Sequence, residues 1–134
     1  MAFINLLIVL LGRRDILKVM KNEKFQELYR MLNEEQRKEV DTIEGPVLVV
    51  AGPGTGKTQI LTLRIANILT KTDVEPRNIL ALTFTESAAV NMRRRLVSLI
   101  GSAGYYVTIA TFHGFCNRLI QDYPEYFPRI IGSQ

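Results

Sequence analysis

Cysteine, tryptophan and histidine are scarce in this chain of 134 residues, which has one Cys, no Trp and one His. A single cysteine excludes an internal disulfide framework, and with it the small secreted domains that such bonds stabilise. Hydrophobic residues make up 47% of the chain and charged residues 22%, which excludes a disordered polar chain and a low-complexity repeat. The length suits one domain with a core of its own.

Long apolar runs are also lacking. Residues 2–11 are apolar apart from Asn5, but this run is shorter than the roughly 20 residues that a membrane-spanning helix needs. Arg13 and Arg14 follow the run, whereas a signal peptide carries its positive charge in front. We therefore expect a cytoplasmic protein without membrane association. Residues 1–21 are predicted to be an apolar and basic extension, either a buried helix or strand or an addition upstream of the domain, and uncovered apolar surface there would favour self-association.

Charge is balanced with a mild basic excess. The chain has 17 Lys and Arg against 13 Asp and Glu, giving a net charge of +4. This excess is compatible with a polyanionic partner but does not require one, because many domains without such a partner share it.

Strand and helix patterns alternate through residues 22–134, which we predict to be one α/β domain. The apolar, largely β-branched run Val47–Val50 is typical of a strand buried on both faces of a parallel sheet. Two more strands are predicted over residues 79–84 and 106–110. Helices are predicted after the three strands, over residues 57–69, 85–100 and 112–122, and before the first strand, over residues 15–32 and 34–42. Such repeated units predict a parallel sheet flanked by helices, with ligands bound beyond the carboxyl ends of the strands.

A glycine-rich segment follows the first predicted strand and fits the Walker A pattern, with Ala in the first position. Its residues are Ala51, Gly52, Pro53, Gly54, Thr55, Gly56, Lys57 and Thr58. Glycines let successive backbone N–H groups point at phosphate oxygens, and the following helix directs its positive end at the same anion. Lys57 would neutralise the β- and γ-phosphates of ATP, and the Thr58 hydroxyl would be a ligand of Mg²⁺. The alternative is a chance glycine-rich turn, which the strand before it and the helix after it disfavour.

Gln36 lies 21 residues before Lys57 and is a candidate adenine-binding residue. A glutamine amide offers one donor and one acceptor, which match N7 and N6 of adenine. The alternative is a solvated side chain on a helix. Asn33 three residues earlier has the spacing of a capping box with Gln36.

These segments together resemble the amino-terminal part of the UvrD/Rep/PcrA-type superfamily 1 DNA helicases. Leu32, Asn33 and Gln36 match the Q motif of that family, and Ala51-Gly52 match the usual start of its phosphate loop. Residues 83–89 match motif Ia, and residues 111–114 match motif Ib. The four motifs occur in the family's order and span about three quarters of the chain. The resemblance implies a truncated P-loop NTPase domain, the first RecA-like domain of a helicase.

The resemblance also implies a track for single-stranded DNA along motifs Ia and Ib. The residues carried over are Phe84, Thr85, Thr111, Phe112 and His113. Phenylalanine faces stack on bases and hydroxyls bind the backbone, and the run Arg93–Arg95 would add charge nearby. The alternatives are that both Phe side chains belong to the core, that His113 is a buried structural residue, and that the arginines form a solvated helix face.

Several positions differ from the family pattern. Glu86-Ser87 replace the Asn-Lys of motif Ia, Gly114 replaces the Ser of motif Ib, and Gln59 stands where many members carry an Arg that packs on adenine. Glu86 places negative charge at an expected DNA contact.

The sequence also lacks an apolar run followed by Asp-Glu, the acidic pair that such a motor needs to hold Mg²⁺ and orient water. We therefore predict an amino-terminal fragment that binds ATP, hydrolyses it negligibly by itself, and depends on the remaining domains of a helicase. The competing functions are a small P-loop kinase or GTPase and a non-catalytic nucleotide-binding or interaction module.

Overall fold

The computed structural model of the chain describes residues 23–50, 52, 54 and 56–128. The predicted extension over residues 1–21 lies outside the described residues, as do Ala51, Pro53 and Thr55. The predicted self-association through that extension stays a prediction for the same reason.

Five α-helices and two β-strands make up the described chain. The helices are α1 (Glu23–Arg30), α2 (Glu34–Asp41), α3 (Lys57–Lys71), α4 (Glu86–Ile100) and α5 (Phe112–Asp122), and the strands are β1 (Leu80–Thr83) and β2 (Thr108–Thr111). Short 3₁₀ turns cover Pro76–Asn78, Gly101–Tyr105 and Pro124–Tyr126. The predicted mixed α/β class is confirmed. None of the described helices has both the length and the apolar character needed to cross a membrane.

The two strands form a parallel pair in which Leu80 lies opposite Thr108 and Thr83 lies opposite Thr111. Helix α4 connects them and packs on both strands. Because the pairing is in register, both strands end at the same level. The chain segments that leave Thr83 and Thr111 therefore start side by side at one edge of the sheet.

The core lies between the sheet, α4 and α3. Apolar residues of α4 recur at three- and four-residue spacings, and the most deeply buried side chains of the described chain come from several elements: Leu63, Leu96, Val40, Val107 and Thr62. Helix α4 ends at Gly101, whose φ of 66° is a conformation that glycine adopts without a steric penalty. The predicted end of this helix is confirmed.

The prediction of a buried strand over residues 47–50 is wrong in this structure. The segment makes no strand pairing, and Leu48 and Val50 are 90% and 92% exposed. A strand requires a neighbouring backbone to bond with, and in the described chain β1 and β2 pair only with each other. The apolar run alone therefore does not make a third strand.

Candidate functional site

The glycine-rich segment leads directly into α3. Gly54 and Gly56 have φ angles of 75° and 76°, in the left-handed region. Such angles strain residues that carry a Cβ, so the glycines at these two positions are required by the shape of the turn. Gly56 is the N-cap residue of α3 and Lys57 is its first helical residue. The N-terminus of this 15-residue helix, which carries its partial positive charge, therefore lies at the turn.

Lys57 reaches back across this turn. Its Nζ donates a hydrogen bond to the carbonyl oxygen of Gly52 at 2.6 Å, which holds the ammonium over the loop. Thr58 is half-buried one residue further along α3, and its carbonyl accepts a hydrogen bond from Thr62 Oγ1 at 2.6 Å. Gln59 is also half-buried, and its backbone N–H donates to Gly56 at 2.8 Å. Lys57 and Thr58 therefore lie in the first turn of a helix that begins at the glycine-rich segment. An ammonium, a hydroxyl and free helix N–H groups are the kinds of group that bind a polyphosphate and its Mg²⁺.

Gln36 makes the predicted capping box at the start of α2. The Gln36 side-chain oxygen accepts from the Asn33 backbone N–H at 3.0 Å, and Asn33 Oδ1 accepts from the Gln36 N–H at 2.8 Å. In the capping box the oxygen of the Gln36 amide, and not its nitrogen, faces the Asn33 backbone N–H. An amide oxygen has two lone pairs, so capping and adenine recognition are chemically compatible.

Three polar side chains of α3 fasten α2 against it. Arg64 Nη1 donates to the Glu39 carbonyl at 3.0 Å, and Asn67 Nδ2 donates to the Val40 carbonyl at 2.9 Å. Lys71 completes the row with an ion pair to Asp41 at 3.3 Å. The sequence alone does not indicate a role for these side chains, although their spacing of three and four residues places them on one helix face. They hold the helix that carries Gln36 beside the helix that starts at Lys57.

Asp41 is the centre of a polar cluster at the far end of this contact. Its carboxylate accepts hydrogen bonds from the Tyr29 hydroxyl and from Asn67 and Lys71. Burial acts to raise the pKa of Asp41, but the hydrogen bonds from Tyr29 and Lys71 outweigh it and hold the pKa below its usual range. The hydrogen bond to Asp41 in turn raises the pKa of Tyr29. The cluster links α1 to α2 and α3.

The two segments assigned to DNA binding lie next to each other beyond the carboxyl ends of β1 and β2. The Phe84 and Phe112 rings are in contact, with centroids 5.2 Å apart and planes tilted by 38°. Phe84 is 85% exposed and Phe112 is 43% exposed, so neither ring belongs to the core. His113 is also exposed, in the first turn of α5. This excludes the alternatives that placed these three side chains in the interior.

The two threonines at this edge are helix N-caps. Thr85 Oγ1 accepts from the Ala88 N–H at 3.2 Å, and Thr111 Oγ1 accepts from the Gly114 N–H at 3.0 Å. Thr85 is exposed, whereas Thr111 is only 6% exposed and also donates to Glu86 Oε1 at 3.0 Å. Of the two hydroxyls, that of Thr85 is thus the more accessible to a nucleic acid.

The arginine run does not behave as one unit. Arg94 and Arg95 are exposed, but Arg93 is half-buried and points at the backbone that leads into β2. Arg93 donates to the carbonyls of Gly104, Tyr105 and Val107 at 3.0–3.2 Å and to that of Ile109 at 3.4 Å. The alternative of a solvated helix face therefore does not hold for Arg93, whose guanidinium is engaged within the fold, and the contribution of the run to DNA binding stays a prediction.

Within the described residues, no group of three or more His, Cys, Asp or Glu side chains is placed to hold a metal ion. The candidate metal ligand from the sequence is the hydroxyl of Thr58, acting together with nucleotide phosphates.

The sequence of this chain also matches a known protein family. A family model described as the UvrD/REP helicase N-terminal domain matches residues 32–129. The chain belongs to this family. The match begins at Leu32 of the Q motif and includes the glycine-rich turn and the run Arg93–Arg95. It also includes the end of the sheet where Phe84 and Phe112 lie, called the aromatic edge below. The resemblance inferred from the sequence is confirmed.

Individual relatives are consistent with this assignment. A protein named ATP-dependent DNA helicase PcrA from Staphylococcus epidermidis is 46% identical over 94 residues, and its namesake from Staphylococcus aureus is 45% identical over 94 residues. Each alignment covers 70% of this chain but only 13% of the relative. The chain thus spans a small fraction of the length of the curated relatives it matches.

Proposed function

We propose that this chain is the ATP-binding and single-strand-binding portion of an ATP-dependent DNA helicase that acts in DNA repair or recombination, with a truncated RecA-like P-loop fold. The observation that carries the proposal is the contacting, exposed pair Phe84 and Phe112. The parallel register of β1 and β2 places these rings together, and two adjacent aromatic faces suit the stacking of unpaired bases.

The nucleotide would bind at the turn formed by Gly52, Gly54 and Gly56. Lys57 would hold the β- and γ-phosphates, Thr58 would hold Mg²⁺ together with them, and Gln36 and Gln59 lie on the two helices that flank the turn. ATP supplies a phosphoanhydride whose cleavage drives movement of the complete protein. The acidic pair that would orient the attacking water does not follow any apolar run of this sequence, so hydrolysis would need further domains.

The nucleotide turn and the aromatic edge are connected through packed helices. Helix α3, which starts at Lys57, packs against α4, which starts two residues after Phe84. A shift of α3 on binding ATP would therefore move the start of α4. This contact is the route by which we expect nucleotide state to reach the strand-binding edge.

DNA binding by the 134-residue chain tests the proposal. The assay is fluorescence anisotropy of a labelled oligothymidine, which has no self-pairing. Base stacking on an aromatic ring is worth about 1–3 kcal/mol, so Phe84→Ala and Phe112→Ala should each weaken binding by about 5- to 150-fold. Tyr126→Ala is the matched control, because Tyr126 is 75% exposed but lies in the turn after α5, at the opposite end of that helix.

Two outcomes would contradict the proposal. One is equal affinity of the Phe84, Phe112 and Tyr126 variants. The other is binding of Mg-ATP with no measurable DNA binding at low salt, which would favour the non-catalytic nucleotide-binding module instead.

A further inference from the structure

Glu86 connects the two segments of the aromatic edge. It is the first residue of α4, which follows β1, but its Oε1 accepts a hydrogen bond from Thr111 Oγ1 at 3.0 Å, at the end of β2. Thr111 Oγ1 accepts in turn from the Gly114 N–H at 3.0 Å. The bonds thus form a relay from the first turn of α5 to the carboxylate of Glu86.

The carboxylate stands where two helix N-termini meet. Helix α4 has 15 residues and α5 has 11, and both begin at this edge with their N–H groups directed toward it. The first turn of α5 contains no acidic residue of its own, so Glu86 is the anion that the structure places at both helix ends. Negative charge at these positions is favourable, which holds for a carboxylate and for a phosphate alike.

Gly114 leaves room for this contact. A Cβ at position 114 would lie 3.0 Å from Thr111 Oγ1 and 4.0 Å from Glu86 Oε1. The first distance is tight and the second is an ordinary contact, so the glycine makes room chiefly for the Thr111 hydroxyl.

The neighbours of the contact are the residues that would stack on bases. Phe84 lies two positions before Glu86, and Phe112 directly follows Thr111. A strand whose bases stack on both rings would pass the contact between Glu86 and Thr111. There the negative charge of Glu86 would repel the backbone phosphates of the strand.

We propose that the negative charge of Glu86 determines how tightly the edge holds a single strand: the hydrogen bond from Thr111 holds the carboxylate beside both rings, where it repels the phosphates of a bound strand. The inference rests on the function proposed above. It makes Glu86 a residue that lowers affinity for the nucleic-acid backbone and so favours brief contact over tight binding.

Neutralising the side chain tests this inference in the 134-residue chain. Glu86→Gln keeps the length and the acceptor oxygen but removes the charge, and it should tighten oligothymidine binding by about three- to tenfold at 50 mM salt. The gain should shrink at 200 mM salt, because the repulsion that it removes is screened. A purely structural role of Glu86 would not produce a gain that depends on salt.

Two further variants complete the design. Glu125→Gln removes the same charge from the exposed turn after α5 and should leave affinity within about twofold, since the charge there is screened from the edge. Glu86→Asp keeps the charge but is one methylene shorter, and it should bind no tighter than the unmodified chain. Urea unfolding of each variant establishes that the fold is retained.

The possible results separate the two proposals. If the unmodified chain binds DNA and Glu86→Gln matches Glu125→Gln, or if Glu86→Asp gains as much as Glu86→Gln, the inference about Glu86 is overturned and the proposed function stands. If no variant binds DNA at low salt, the proposed function fails and the inference falls with it.

Discussion

Arg93 is predicted to stabilise the backbone that leads into β2, and replacing it should lower the free energy of unfolding. Replacement by Met keeps a flexible stem of similar reach but removes the guanidinium that donates to four backbone carbonyls. Gly104, Val107 and Ile109 are buried, and Val107 is only 1% exposed. The bonds to Gly104 and Val107 are the shorter ones, at 3.2 and 3.0 Å, whereas that to Ile109 is 3.4 Å. Without Arg93 these two acceptors would lose their charged donor in the fold.

The expected loss follows from these contacts. A buried polar group left without a partner costs about 1–3 kcal/mol, and two such groups would cost about 2–6 kcal/mol. Arg93 lines an open cleft with Glu86, Val90 and Tyr105, so water can replace part of the lost bonding. The lower half of the range, about 2–4 kcal/mol, is therefore expected for Arg93→Met.

Urea unfolding followed by circular dichroism measures this loss. Arg94→Met is the matched control, because it removes the same charge one residue away from an exposed side chain and should change the free energy of unfolding by less than about 0.5 kcal/mol. Unfolding of both variants at the same urea concentration would show that the bonds from Arg93 add nothing to the stability of the fold.

Three further predictions concern packing, pH and catalysis. Gly104→Ala should lower the free energy of unfolding by about 1–3 kcal/mol, because the new Cβ would lie 2.9 Å from the Val97 nitrogen; thermal melting measures the loss. The folded pKa of Asp41 lies below its unfolded value of about 3.9, so its ionised form stabilises the fold above that pH and the contribution is lost as pH falls through the folded pKa. Asp41→Asn should accordingly flatten the acid limb of a stability–pH curve. The chain alone should turn over ATP far more slowly than about 1 s⁻¹ even with DNA present, and a faster phosphate-release rate would contradict that expectation.

Local signals in the sequence predicted the helices well. Helix α4 covers Glu86–Ile100 with Thr85 and Gly101 as its caps, and α5 covers Phe112–Asp122, which agrees with the predicted ranges 85–100 and 112–122. The Asn33–Gln36 capping box is also present. Each of these features depends on residues a few positions apart. Such residues act through hydrogen bonds and backbone angles that are fixed within one turn.

The wrong prediction of a strand over residues 47–50 shows what a local sequence pattern cannot determine. Val47–Val50 has the composition of a buried strand, but pairing depends on a second backbone, and nothing within the segment itself supplies one. The periodicity of a sequence indicates a capacity to pair, whereas the structure shows whether a partner is present among the described residues.

At the candidate site, the sequence identified the residues but not all of their contacts. Residue types and spacing pointed to Phe84 and Phe112, while their exposure and mutual contact follow from the register of β1 and β2. Arg93 and Arg94 carry the same charge, so the sequence does not show which of the two is half-buried. The Arg93 side chain points inward because of the helix face that it occupies and the turn that packs against that face.

The most direct test of the account is thermal melting of the 134-residue chain with Mg-ATP, for the unmodified chain, Lys57→Ala and the control Lys38→Ala. Nucleotide at a hundred times its dissociation constant should add about 2.7 kcal/mol to the free energy of unfolding. We expect this stabilisation in the unmodified chain and in Lys38→Ala, a smaller one with Mg-GTP, and none in Lys57→Ala. A melting temperature that Mg-ATP leaves unchanged, or one raised equally in Lys57→Ala, would contradict the claim that the turn from Gly52 to Lys57 holds the phosphates of ATP.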